Sequence, residues 1–490
     1  MRDMVLILSF DGANGRSVAR KLRAERVYCK IVPADIAPEE IKNQEPLGLI
    51  LAGSSQGALS LPGFHQELLE MGLPVLAMGD AAAAVCGLLG GQASDTFLAQ
   101  NAAPVTYQAE LPLFEEVTEG ERMMTFVRPL SLNEGLTPAA FTGEEIIGFA
   151  HTENRLYGLQ FQVEQNDPDG ILILANFAMK VCGCTPWWDS AAFIQRAVDE
   201  IRRVVGEGTA LCAISGGVDS GVCAMLGHKA IGMRLKCIFV DTGLLRKGEG
   251  DFVMSYYRDA LGLNIVRVDA ADRFLRELSG ISDPERKSQT VMRLLQEILN
   301  AEVSKTPDVN VLLEGTNYSD YSFNSDSDMP ISMSMRSRKA ILVEPVRELF
   351  KDEIRRAGEE MGMPPELTTR QPFPGAGLAL RILGDVTSQR LQVLREADAI
   401  FLEEVAQSGQ GKKLWQYFAV LSDMALSGLH GMAISLRAVH ASESSAAMAA
   451  RLPYDLLERA AGRILKVLPQ VVRVVYDLTP SHNFSGIEWQ

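Results

Sequence analysis

The chain has 490 residues, of which 47% are hydrophobic and 22% charged, a balance that excludes a disordered chain, a collagen-like repeat and a coiled-coil rod. That length predicts about two to four domains. Its 47 basic and 62 acidic residues leave a net charge of −15, which argues against general nucleic-acid binding, because neutralising a phosphate backbone needs a surplus of Lys and Arg. A local basic pocket for a small anion remains compatible with that balance.

Met4–Ser9 is a short apolar run that reads as a strand, and Ser17–Arg26 has a helical pattern. Val27–Pro33, Leu47–Gly53 and Pro74–Gly79 repeat the strand signal, with helices expected over 64–72 and 80–90. Glu145–Ala150 and Arg155–Gln162 read as later strands, and Gly170–Val181 as a closing helix. This alternation predicts a mostly parallel sheet covered on both faces. The most apolar stretch, Pro74–Gly91, contains Asp80 and falls short of a membrane span. The start of the chain lacks the long apolar core of a signal peptide. The seven cysteines are scattered apart from Cys182 and Cys184, and no second pair has zinc spacing. Free, mostly buried thiols and a soluble cytoplasmic protein without a membrane partner are therefore expected.

Cys182–Ser190 combines Gly, Pro and two Trp, and Asp189 or Ser190 caps a helix over Ala191–Val205, which places a domain boundary there. A second alternating region follows. It has strands at Thr209–Ile214, Leu235–Asp241, Asn264–Asp269, Val309–Glu314 and Ala340–Pro345, and helices from about 219 and near 250–260. Gln371–Gly377 carries too many Pro and Gly residues for regular structure. Helices over 387–405 and 452–467, with strands at Gly431–His440 and Val471–Leu478, complete a third, α+β module.

The strongest chemical signal is Ser215-Gly216-Gly217-Val218-Asp219-Ser220, between a strand and a helix. Glycines let backbone amides converge, the helix start adds partial positive charge, and hydroxyls add donors, so the loop suits phosphate oxygens. No Gly-Lys-Ser/Thr follows, so it is not a Walker A loop. It matches the loop of the PP-loop ATP pyrophosphatases, which grip the β,γ-pyrophosphate and expose the α-phosphate to a substrate carbonyl oxygen. Asp219 would hold Mg²⁺ or cap the helix. Asp241 ends the next parallel strand, at the edge where such sheets bind nucleotides. Val240 and Asp241 would flank adenosine, unless Asp241 only forms a turn.

Stretches such as CIFVDTGLLRK (237–247), EPVRELFKDEIR (344–355), RQPFPGAGLALRI (370–382), RVVYDLT (473–479) and IEWQ (487–490) extend the match, with GLQFQVE (158–164) towards the N-terminus. On these the whole chain resembles GMP synthases. The resemblance implies a flavodoxin-like class I glutamine amidotransferase domain (1–184), a doubly wound PP-loop domain (185–375) and a small α+β dimerisation domain (376–490), hence a homodimer. It implies ATP and Mg²⁺ as cofactors and XMP as acceptor. Family members adenylate the C2 oxygen of XMP and replace it with ammonia from glutamine. By the same resemblance Lys351 would reach the pyrophosphate, or be a solvated helix lysine. Gln371, Pro372 and Phe373 would lie on the acceptor side, Arg437 would be a site or interface arginine, and Glu488 belongs to the retained C-terminal motif.

Two sets of departures stand out. The family's nucleophilic Cys position is Gly79, and its catalytic His position is Gln162, although Glu164 remains. Glutamine hydrolysis needs a thiolate and a histidine to activate it, and Cys86, two helical turns away, reads as a core thiol. No glutaminase activity is expected, so ammonia or an external donor would supply nitrogen. Gly53-Ser54-Ser55 also stands where the family has Gly-Gly-Pro. On the acceptor side, a basic pair becomes Ser288 and Gln289, the family's Gln-Gly-Thr-x-Tyr-Pro-Asp becomes Glu314-Gly315-Thr316-Asn317-Tyr318-Ser319-Asp320, and 322–335 replaces a segment rich in Lys and His. Asp326 and Asp328 appear nearby, and residues around His482-Asn483-Phe484 replace Lys-Pro-Pro. Each lost charge-assisted bond to a phosphate is worth about 1.5–3 kcal/mol, unless Arg286, Lys287, Arg336 or Arg338 compensate. These losses motivate a second reading, a PP-loop enzyme moving nitrogen or sulfur onto an acceptor other than XMP. A third, a catalytically silent paralogue that dimerises with and regulates a true synthase, is opposed by the intact Ser215–Ser220 loop.

Overall fold

The computed structural model describes residues 3–489 apart from 11–12, 54–58, 99–101, 162, 164–167, 307, 319–339, 427–428, 441–446 and 482–486. The chain divides into two compact units, Met1–Phe193 and Ile194–Gln490.

In the first unit a nine-stranded sheet runs in the order Cys29–Pro33, Val5–Ser9, Gly48–Ala52, Val75–Met78, Leu156–Leu159, Glu145–His151, Thr137–Thr142, Ala102–Tyr107 and Gly120–Met123. The first five are parallel, with the second-first-third-fourth-fifth order of flavodoxin-like sheets. Val5–Ser9, Gly48–Ala52 and Val75–Met78 are buried throughout, which is why they read as unbroken apolar runs. The other four strands extend the sheet antiparallel. Sequence periodicity does not foresee the strands between 102 and 142, because Pro104 and Pro138 interrupt them. The helix expected over 64–72 is only a 3₁₀ segment, Gln66–Glu70, bounded by Gly63 and Gly72 at positive φ. All seven cysteines are free thiols, six of them buried.

In the second unit a parallel sheet has the order Ile265–Asp269, Leu235–Asp241, Thr209–Ile214, Val309–Leu313, Ile341–Val343. The order reverses between Thr209–Ile214 and Val309–Leu313, so a crevice opens at the carboxyl ends of those two strands. The helix Pro284–Ser304 begins with Asp283 accepting from the Arg286 N–H, and Pro284 takes its first position. A second sheet is a long hairpin, Gln416–Leu426 and Leu429–His440, with Val471–Tyr476 parallel to its second strand. The helices Ser388–Gln407 and Tyr454–Val467 belong to the same module. One buried core joins both sheets through Leu211, Phe274, Leu294, Leu378, Phe401, Leu436 and Ile464. Among the described residues no helix is long and apolar enough to cross a membrane.

Candidate functional site

The loop Ser215–Ser220 lies in the crevice, after the strand Thr209–Ile214 and at the start of the helix Val218–Ile231. Gly216 has φ +82°, a conformation glycine adopts without strain, and Gly217 is the helix N-cap. The Ser215 and Ser220 hydroxyls are 3.0 Å apart. Ser220 Oγ accepts from the Ser215 N–H at 3.2 Å and donates to the Gly217 carbonyl at 3.2 Å. The Gly217 N–H donates to Ser215 Oγ at 3.3 Å. Hydroxyls and amides thus converge where a helix dipole is positive, while Val218 is buried and anchors the turn.

The structure brings Asp219 and Lys351 together. Lys351 opens the helix Lys351–Glu360, and its ammonium pairs with Asp219 Oδ2, to which Asn317 Nδ2 also donates at 3.4 Å. The other oxygen, Oδ1, is buried without a hydrogen-bond partner among the described residues. Asp219 is therefore not the helix cap, and Lys351 is not a freely solvated lysine. A Mg²⁺ ion fits this donor set, because Mg²⁺ takes one or two carboxylate oxygens and completes its shell with phosphates and water. Gly315, past the strand Val309–Leu313, allows this approach: a Cβ there would lie 2.7 Å from Ser220 N and 2.8 Å from the Asp219 carbonyl carbon.

Asp241 Oδ2 accepts from Arg267 Nη2 at 2.5 Å and Oδ1 accepts from the Gly243 N–H at 3.0 Å, so this carboxylate closes a turn and forms an ion pair. Val240 is buried beside it. Sequence reading missed Arg370 and Glu249. Arg370 Nη1 donates to the Gly216 carbonyl, and its guanidinium pairs with Glu249, which also accepts from the Arg246 N–H at 2.8 Å. Burial, with help from neighbouring Arg246, pulls Arg370 down to about 10.

The segment after Arg370 is pinned to the second sheet. Gln371 donates to the Tyr417 carbonyl at 2.8 Å and accepts its N–H at 2.7 Å. Gln416, also missed, donates to the Pro372 carbonyl at 3.0 Å, and its Oε1 accepts the Glu488 N–H at 2.7 Å. The Arg246 guanidinium lies 4.6 Å from the Phe373 ring centroid. That of Arg381 lies 5.1 Å from the same ring and 3.9 Å from Phe418. Arg381 is wholly buried with Nε, Nη1 and Nη2 without hydrogen-bond partners among the described residues, and burial pushes it down to about 9. The nearby carboxylate, Asp398, pairs with Arg246 at 3.2 Å.

Arg437 is buried and donates to Glu488 Oε2 at 3.1 Å and to the Asp477 carbonyl at 3.2 Å, while Glu488 Oε1 is buried without a hydrogen-bond partner among the described residues. Lys287 is 1% exposed, and its ammonium donates to the Ala379 and Ile382 carbonyls at 3.2 and 2.6 Å. As placed, it is committed to the scaffold and does not compensate for the basic pair replaced by Ser288 and Gln289. Arg286 is exposed on the first turn of the same helix. Ser319-Asp320, 322–335, Arg336, Arg338 and His482-Asn483-Phe484 lie outside the described residues.

In the first unit Gly79 joins the strand Val75–Met78 to the helix Asp80–Leu88 with φ +58° and ψ −132°, and its N–H donates to the Leu159 carbonyl at 2.9 Å. A sharp strand–turn–helix of this kind is a nucleophile elbow, strained for any side chain and relaxed for glycine. Cys86 is fully buried, and burial pushes its thiol up to about 11, so it offers no thiolate. Gln162, Glu164, Ser54 and Ser55 lie outside the described residues.

A doubly wound sheet with a glycine- and serine-rich loop at its switch point, in a chain that also carries a flavodoxin-like unit, defines a multidomain α/β protein. Residues 403–489 match the GMP synthase C terminal domain. The chain is 38% identical over 512 residues to a glutamine-hydrolyzing GMP synthase of Clostridium acetobutylicum, covering 100% of both proteins. It is 38% identical over 514 residues to that of Caldicellulosiruptor saccharolyticus, covering 100% of this chain and 99% of the relative. The chain belongs to the GMP synthase family.

Proposed function

We propose that this family member is an ATP-dependent, carbon–nitrogen bond-forming ligase that works without a glutaminase of its own. The acceptor, XMP by family, presents a carbonyl oxygen to the α-phosphorus of ATP. The new O–P bond forms as the bond to the β-phosphate oxygen breaks, and pyrophosphate leaves. Ammonia then adds to the activated carbon and loses a proton, and the C–O bond breaks to release AMP. The loop amides and the Ser215 and Ser220 hydroxyls would hold the β- and γ-phosphates, with Lys351 neutralising charge on the leaving pyrophosphate. Mg²⁺, held through Asp219, would offset phosphate charge when bound. Val240 and Asp241 would border the adenosine, and Gln371, Pro372, Phe373 and Glu488 the acceptor. A homodimer through the C-terminal module follows the family pattern.

The observation that carries the reading is the pairing of Lys351 with Asp219 of the loop, with one buried carboxylate oxygen that has no hydrogen-bond partner among the described residues. Its test is incubation with ATP, Mg²⁺, XMP and ammonium, with AMP and GMP read by chromatography. GMP formation supports the reading; absence of ATP binding by calorimetry removes it. The glutaminase part rests on Gly79 and is tested with glutamine as sole nitrogen source, where glutamate release would overturn it. A second reading keeps the ATP chemistry but changes the acceptor to a carbonyl compound other than XMP, with nitrogen or sulfur as the incoming atom. It is favoured by Lys287 and Arg437, whose cationic groups are occupied by backbone carbonyls and Glu488. AMP release that needs some other carbonyl compound in place of XMP would select it.

A further inference from the structure

We propose that Arg370 is a positioning residue that fixes the Gly216–Gly217 peptide of the phosphate loop; this rests on reading that loop as the ATP site. Gly216 sits at φ +82° and is followed by a second glycine, so sterics resist rotation of the peptide between them only weakly. In a trans peptide the carbonyl and the following N–H point in opposite directions. Arg370 Nη1 holds the Gly216 carbonyl on one side of the loop. The Gly217 N–H therefore faces the other side, where it meets Ser215 Oγ at 3.3 Å and joins the donors that would receive phosphate oxygens. Were this peptide to flip, a carbonyl oxygen would stand where the phosphates need a donor.

The holder is itself held. The Arg370 side chain is 16% exposed and that of Glu249, its partner, 8%. Glu249 is tied in turn to the Arg246 N–H at 2.8 Å. At the next residue, the two Gln371 bonds to Tyr417 anchor the chain to the strand Gln416–Leu426. The guanidinium is thus held by Glu249 while the next residue ties down the chain, and pairing with Glu249 lets it contact a carbonyl without adding net charge to the site.

The test is calorimetric titration of the full chain with Mg·ATP, pyrophosphate and AMP, comparing wild type with Arg370→Gln, Arg370→Lys and Glu249→Gln. In Arg370→Gln, affinity for ATP and pyrophosphate should fall by at least about tenfold, while AMP, which lacks the β- and γ-phosphates, stays within about twofold. Lysine keeps a charged donor and should bind ATP within about threefold of wild type, with Glu249→Gln between the two. Equal losses for ATP and AMP would show a merely structural role and overturn the inference. Unchanged ATP binding in Arg370→Gln would overturn it while leaving the loop reading intact. A wild type that binds none of the three would remove the reading and the inference together. If Arg370→Gln does not fold, Glu249→Gln decides on the same split.

Discussion

Gly315→Ala tests whether the loop and the chain after Val309–Leu313 form one rigid cradle. A Cβ at 315 would lie 2.7 Å from Ser220 N, 2.8 Å from the Asp219 carbonyl carbon and 2.9 Å from its oxygen. These are backbone atoms at the start of a helix, so no flexible side chain can swing away. An ordinary contact needs about 3.4 Å or more, so the two segments must separate by roughly 0.5–1 Å, an overpacking cost of about 1–3 kcal/mol. The same displacement pulls Asp219 off Lys351 and Asn317 and splays the loop amides. Misplacement by about 1 Å at a reacting centre costs about a hundredfold. Denaturant unfolding should show the stability loss, and AMP release under saturating ATP should fall by about ten- to a hundredfold. A variant with wild-type turnover and an unchanged unfolding midpoint would refute the close packing on which the site depends.

Lys351→Met should lower AMP release by about ten- to a hundredfold, the value of a charged hydrogen bond to the leaving phosphates, while AMP binding measured by calorimetry stays unchanged. Gly79→Cys alone should release no glutamate from glutamine, since Gln162 stands at the base position. A Cβ at φ +58° should also cost about 1–3 kcal/mol in a urea melt, and glutamate from the single variant would contradict the account. Burial lowers Lys287 to about 8 from its ordinary 10.5. Between those values the unfolded chain binds the extra proton, so this group's contribution makes stability rise with pH from about 8 upward. Urea midpoints at pH 7.5 and 9.5 should show that increment in wild type and its loss in Lys287→Met; identical pH slopes would refute it.

The loop was legible because its chemistry lies in six contiguous residues between a strand and a helix. The groups that complete it were harder to see. Lys351, Asn317, Arg370 and Glu249 reach the loop through folding alone, and no local spacing distinguishes a paired lysine from a solvated one. Lys287 shows a signal that was available: it shares a helical stripe with Val291, Leu294 and Ile298, all buried, so the spacing itself points the lysine inward. The start of that helix was also written in Asp283-Pro284. The parallel strands of the first unit read clearly as apolar runs, whereas its antiparallel strands, interrupted by Pro104 and Pro138, carried no clean alternation.

The most direct test of the central claim is a matched pair of reactions with ATP, Mg²⁺ and XMP, one supplied with ammonium and the other with glutamine alone, with AMP, GMP and glutamate quantified together. The account predicts AMP and GMP in equal amounts with ammonium, and neither GMP nor glutamate with glutamine. Glutamate formed in step with GMP in the second reaction would contradict it.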